Sequence, residues 1–188
     1  MEPATSTRES TRLLTGDELL RMPGLNPCEL VAGRVVPMTP TNPTHGRIEV
    51  NVAAALKHFV RTQNLGVVMA GEVGIFTARN PDTVRAADVL FLSHDRNARR
   101  KRQEGFLDVA PELTVEVLSP TDRPEQVRRK LGEYFAAGVL QVWVIDPATR
   151  TVQVHRGHGE PLSLAPGAVL TGGDVLPGFS LPVDDIFE

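Results

Sequence analysis

Strand-like apolar runs separated by amphipathic helical stripes limit what this chain can fold into. The runs cover residues 67–76, 88–92, 113–119 and 140–145, each bounded by glycine, proline or charged residues. One helix should begin at Asn42-Pro43, an N-cap residue followed by proline in the first turn, with Ile48, Val52, Ala55, Leu56 and Phe59 on one face. A second follows Ser119-Pro120, with Asp122 as its N-cap, Glu125 at the third position and Gly138 as the residue that ends it. Its stripe is Val127, Leu131, Tyr134 and Phe135. The order helix, strand, strand, strand, helix, strand predicts an α/β sandwich built on a central mixed sheet. Upstream, Thr15-Gly16-Asp17-Glu18 has capping-box spacing for a short helix, and Glu29-Leu30-Val31 with Arg34-Val35-Val36 flank Ala32-Gly33 as a β-hairpin.

Two acids interrupt these strands. Asp88 opens Asp88-Val89-Leu90-Phe91-Leu92, and Glu116 lies inside Leu113-Thr114-Val115-Glu116-Val117-Leu118-Ser119. Burying an unpaired carboxylate costs several kcal/mol, on the order of the whole stability of a small domain, so each needs a cation or strong donor beside it. Two such acids in one sheet point to a shared cation.

Composition narrows the classes. The chain has 188 residues, 41% hydrophobic and 23% charged, which suits one globular domain over 11–188 after a disordered tail at 1–10. No run of about 18 apolar residues exists to span a bilayer, and the polar opening has no secretory core, so a cytoplasmic location is the expectation. Cys28 is the lone cysteine and is read as a small buried thiol. A net charge of −3 argues against salt-driven coating of nucleic acid by the whole surface. The local cluster Arg96, Arg99, Arg100, Lys101 and Arg102 is either a solvated charge run or a phosphate-contacting loop.

Three further polar residues belong with the acids. At about 100° per residue, His45 and Glu49 share the apolar face of the first helix, either as an end-of-helix pair half in solvent or directed at whatever the helix packs on. Glu116 lies roughly 13 Å before Pro120 at about 3.3 Å per strand residue, and Lys130 lies roughly 10 Å beyond Arg123 at about 1.5 Å per helix residue. If the helix doubles back over the strand, Lys130 and Glu116 become neighbours. The chain has only three lysines among twenty basic residues, although a stem lying along the helix flank would also account for Lys130.

Together these residues resemble the bacterial Uma-like family of putative restriction endonucleases. The resemblance is carried by Glu29-Leu30-Val31-Ala32-Gly33, the His45-Gly46 helix start, Asp88, Glu116-Val117-Leu118-Ser119-Pro120, Lys130, and Gly138 through Trp143 to Asp146-Pro147. It runs from about Leu13 to the C-terminus and includes Leu176-Pro177-Gly178-Phe179. That family belongs to the PD-(D/E)XK nuclease superfamily, so the resemblance implies a restriction-endonuclease-like fold, with Asp88 as the motif aspartate and Glu116 as the motif glutamate. The chain departs from the pattern at Ala87, where proline is usual, and at Leu118, which occupies the motif lysine's position. Lys130 resembles the migrated lysine of some superfamily members.

Phosphodiester cleavage suits these residue types, because a hard divalent cation polarises the phosphate and lowers the pKa of a bound water. Mg²⁺ or Mn²⁺ keeps several waters and takes one or two carboxylates, which Asp88 and Glu116 supply. Glu49 would help hold a second ion or a water, His45 would contact phosphate or carry a proton, and Lys130 would position the attacking hydroxide. Zinc is not expected, since His155 and His158 have no evident third partner, and no Gly-x-Ser-x-Gly elbow is present. The alternative is a catalytically degenerate nuclease fold acting as a DNA-binding or interaction module. DNA is the expected partner, and the symmetry of double-strand cleavage makes a homodimer the expected assembly.

Overall fold

The computed structural model describes residues 12–22, 24, 27–157 and 159–188. The expected tail at 1–10 and His158 lie outside the described residues. Helix α1 (Gly16–Leu20) starts with the capping box of Thr15 and Glu18, and β1 (Cys28–Val31) pairs with β2 (Arg34–Pro37) as the expected hairpin. Helix α2 (Pro43–Thr62) follows, with the Asn42 side chain accepting from the His45 N–H. Next come β3 (Gly66–Ala78), β4 (Thr83–Ser93), the short α3 (His94–Ala98), β5 (Leu113–Val117), α4 (Pro124–Ala137) and β6 (Gln141–Asp146). The chain closes with β7 (Thr151–His155), β8 (Leu162–Leu164), β9 (Val169–Gly172), β10 (Leu176–Pro182) and α5 (Val183–Ile186).

Eight strands form one mixed sheet in the order β2-β1-β4-β5-β6-β7-β8, with β3 paired to β4 off that path. Strands β5 and β6 run parallel, with α4 carrying the crossover between them. One face buries Ile48, Val52, Leu56 and Val60 of α2 against Val89, Val115, Val117, Trp143 and Ile145. The β9–β10 hairpin and α5 complete that layer, with Phe179 stacked on Trp143 at a centroid distance of 5.6 Å. On the other face Leu131, Tyr134 and Val139 pack against Leu90, Leu92, Val142 and Val144. This is the α/β sandwich with a central mixed sheet that the periodicity predicts. Among the described residues, no helix is long and apolar enough to cross a membrane.

The N-cap of α4 differs from expectation. Asp122 Oδ2 accepts the Ser119 N–H at 2.8 Å, so its carboxylate is engaged in the preceding turn. The helix starts one residue later, from Arg123, with no side-chain cap and with Pro124 in its first turn. Gly138 ends it in a left-handed conformation, φ 103°, which a side chain would strain.

Candidate active site

The site is a gap along one edge of β4. Strand β3 pairs along the other edge from Ser93 to Thr83, while on the near edge β1 reaches only Val84 and β5 only Val89 to Phe91. Between them the main-chain groups of Ala86 have no partner strand, and buried backbone polar groups must find partners elsewhere. Side chains supply them. Ala86 N–H donates to Glu29 Oε1 at 3.0 Å, and Ala86 O accepts from Lys130 Nζ at 2.8 Å and from the Tyr134 hydroxyl at 3.3 Å.

The same divergence places the acids. Continuing the β4–β5 register by one step beyond Val89 and Val115 sets Asp88 opposite Glu116. Asp88 Oδ2 accepts from Val117 N–H at 2.6 Å and lies 3.4 Å from His45 Nε2. Its Oδ1 takes no hydrogen bond among the described residues. Glu116 Oε2 accepts from Lys130 Nζ at 2.6 Å, and Oε1 from the Tyr134 hydroxyl at 2.7 Å. Lys130 and Tyr134 stand one turn apart on α4, so both reach the same carboxylate. Helix α4 thus doubles back over β5 and makes Lys130 and Glu116 neighbours.

Glu49 sits elsewhere in the cluster. Strand β3 carries a bulge between Ala70 and Val73, whose partners are Val89 and Ala87, so Gly71 and Glu72 together face the single residue Asp88. Both have positive φ, 92° and 52°. The bulge turns Gly71 N–H toward Glu49 Oε1, at 2.9 Å. His45 and Glu49 therefore flank Asp88 from the α2 side, and His45 Nδ1 is buried with no partner among the described residues.

Burial dominates the electrostatics of Glu116. It raises the carboxyl from 4.5 to about 7, with the charge of Asp88 adding to it and Lys130 and Tyr134 only partly opposing. Burial by itself favours neutral Lys130, but Glu116, Glu29 and Asp88 outweigh it and hold the ammonium above its usual range. Burial and Glu116 push the Tyr134 phenol well above its range, so it stays a donor. The hydrogen bond to Asp88 raises His45 against the opposing effect of burial. Burial, then Asp88 and Glu72, raise Glu49.

These shifts predict a pH dependence. The folded chain holds the Glu116 proton between about 4.5 and about 7, where the unfolded chain has lost it, so stability falls as pH rises through that window. Chelator-treated protein should lose up to about 1.4 kcal/mol per pH unit there in urea titrations. The slope should flatten in Glu116→Gln.

Sequence reasoning did not assign a site role to Glu29, Arg85, Glu133 or Tyr134. Glu29 sits 3.3 Å from Lys130 and accepts from Arg85 at 2.5 Å, while Arg85 also donates to Glu133 at 2.5 Å. Glu133 in turn accepts from Arg129 at 3.0 Å. A usable signal was present: Glu29 and Arg85 are charges within apolar strand runs, just as Asp88 and Glu116 are, and Tyr134 is the chain's one tyrosine.

The basic cluster divides, with Arg99, Lys101 and Arg102 exposed and Arg96 tied into the fold. Arg96 donates to the carbonyls of Ala110, Pro111 and Gly138 and pairs with Glu112 at 3.2 Å, and Arg102 pairs with Asp17 at 2.5 Å. These contacts tie Arg96 into the fold, whereas Arg102 keeps an exposed side chain in a surface ion pair.

The residues fit a hard divalent cation by the chemistry of their donors. Asp88 offers an oxygen with no other partner among the described residues, and each Glu116 oxygen accepts from one donor there and keeps a second lone pair. Among the described residues no three His, Cys, Asp or Glu side chains converge to hold a metal by themselves. A cation here would rest on two carboxylates and water, the coordination Mg²⁺ favours.

The family model described as Uma2, putative restriction endonuclease, matches residues 17–184. Among solved structures, a putative nuclease belonging to DUF820 from Anabaena variabilis superposes with a TM-score of 0.78 at 23% identity, covering 93% of this chain and 97% of that one. At that identity the likeness is one of fold. Comparison with curated proteins found no match.

Proposed function

We propose that this chain, which belongs to the Uma2 family of putative restriction endonucleases, hydrolyses phosphodiester bonds of DNA at Asp88, Glu116 and Lys130. The observation that carries this reading is the ammonium of Lys130 held 2.6 Å from Glu116, in the register step where Asp88 opposes it. A lysine from α4 thereby supplies the cation that Leu118, two residues beyond Glu116, lacks.

Each residue has a part. Asp88 and Glu116 would hold Mg²⁺ or Mn²⁺, which when bound supplies Lewis-acid polarisation of the phosphate and acidifies water. Glu29 and Ala86 O also hold Lys130, whose charge orients the attacking oxygen and offsets charge developing on the phosphate. Tyr134 holds the Glu116 carboxylate in place. His45, kept charged more readily by Asp88, contacts phosphate or carries a proton. Glu49 fixes the bulge beside Asp88 and is available for a second ion or a water. Cutting both strands would take two copies related by a two-fold axis.

Plasmid nicking that requires Mg²⁺ or Mn²⁺ and stops in a folded Asp88→Asn protein is the expected result. Cleavage that survives both chelation and Asp88→Asn would overturn the mechanism. One observation favours the degenerate-module reading: both oxygens of Glu116 already carry donors. That reading expects salt-sensitive DNA binding and no cleavage with either metal.

A further inference from the structure

Beside the site lies a cavity of about 1000 Å³, which no step above uses. It opens past the carboxyl ends of the parallel strands β5 and β6, the position where open α/β sheets bind ligands. Its floor continues the catalytic row. Glu116 pairs in register with Val144, and Val144 with Gln153, so these three residues share one face of the sheet. At about 4.8 Å per strand, Val144 lies about 5 Å and Gln153 about 10 Å from Glu116 across the sheet. The cavity begins one strand away from the acid.

Its walls are apolar and stiff. Five prolines line it, together with Val127, Leu131 and Ala148, and proline walls have little conformational freedom to lose when a ligand enters. A few polar groups face the same space. Gln153 and His155 lie on the floor, His155 Nε2 is 3.3 Å from Gln153 Oε1, and burial lowers the His155 pKa so that the ring is neutral at pH 7. Arg128 stands exposed at the rim with no ion pair among the described residues. The two carboxylates at the edge are already engaged: Asp122 accepts from Ser119 N–H, and Asp146 from Ala148 N–H and the Thr149 hydroxyl. An apolar slot with an amide and a neutral imidazole suits a flat heterocycle with a hydrogen-bonding edge, and a free guanidinium at its mouth suits that ligand's phosphate.

We propose that this cavity takes in an unstacked nucleobase of the strand whose phosphate lies at Glu116, making DNA with unpaired nucleotides the preferred substrate. This rests on the nuclease reading for the position of the phosphate, but its test does not require cleavage. A base inside a perfect duplex is stacked and paired, and extracting it costs a few kcal/mol, whereas a mismatched or single-stranded base has less to lose. The pocket therefore converts local distortion of DNA into affinity.

The test uses full-length Glu116→Gln protein and three oligonucleotides of equal length carrying 2-aminopurine: a single strand, a perfect duplex and a duplex with a two-base mismatch. Fluorescence anisotropy should show the single strand and the mismatch bound at least tenfold more tightly than the perfect duplex, with a change in 2-aminopurine emission. Gln153→Leu, which removes the polar floor, and Ala148→Leu, which narrows the mouth, should each reduce that preference to under threefold. Both positions are exposed, so circular dichroism should show the fold retained. Equal affinity for the three DNAs, no binding to any of them, or a preference that survives both substitutions would overturn the pocket. So would Ala148→Leu dissociating a dimer in sedimentation while the preference stays, which would assign the cavity to a subunit contact. Plain-duplex cleavage without preference would remove the pocket and leave the nuclease, whereas preference without cleavage in wild-type protein would do the reverse.

Discussion

Glu116→Gln should lower DNA cleavage by at least about a thousandfold while leaving the protein folded. A carboxylate ligand and a partner of Lys130 are lost together, and removing a single preorganised transition-state contact already costs about 10²–10³ in turnover. The fold should tolerate the change because Glu116 is itself expensive to keep charged: burial raises it to about 7, so near neutral pH the native state holds it close to half-protonated. Removing one partner of a buried pair is costly when it strands the other as an unpaired charge, and Glu116→Gln does not strand Lys130. Lys130 keeps Glu29 and the Ala86 carbonyl, and the amide oxygen can still accept from Tyr134. The expected thermal midpoint is therefore within a few degrees of wild type, and at or above it when both are measured above pH 7 without metal. Cleavage within tenfold of wild type would remove Glu116 from the chemistry.

Much of this arrangement is legible in the chain before folding, because the relevant signals are local. The Asn42-Pro43 start, the α4 stripe and the Glu29 to Val36 hairpin each follow from periodicity and capping within a few residues. Asp88 and Glu116 are visible as charges in apolar runs, and simple rises per residue already bring Lys130 toward Glu116. What escapes is set by non-local pairing. That β1 and β5 leave a gap on the same edge of β4, and so need Glu29 and Tyr134 to cap Ala86, depends on which strands neighbour one another. The bulge at Gly71 and Glu72 is a two-against-one mismatch with Asp88, which no single strand's alternation reveals. Asp122 shows the limit even of a local signal, since it is a good N-cap residue that a preceding turn claims first.

Lys130→Met is expected to reduce turnover by about 10²–10³, the range for losing one positioned donor, while costing stability as well. Methionine keeps most of the stem's volume but leaves Glu116 and Glu29 facing each other without the ammonium between them. Removing one partner of a buried pair costs about 3–5 kcal/mol when the other stays charged. Here the cost should fall toward the lower end, because Glu116 can escape by taking a proton and Glu29 keeps Arg85 and the Ala86 N–H. That escape determines how the experiment must be run. Without the cation Glu116 titrates higher still, so at pH 7 a proton competes for the carboxylate and metal affinity drops for a reason unrelated to catalysis. Measured above pH 8.5, metal affinity in Lys130→Met should approach wild type while cleavage remains low. Lys130→Arg separates charge from position: a guanidinium should restore much of the lost stability, but its planar fork cannot place one donor where the ammonium sits, so turnover should stay depressed. Full cleavage in Lys130→Met above pH 8.5 would reduce the lysine to a structural counter-ion of Glu29 and Glu116.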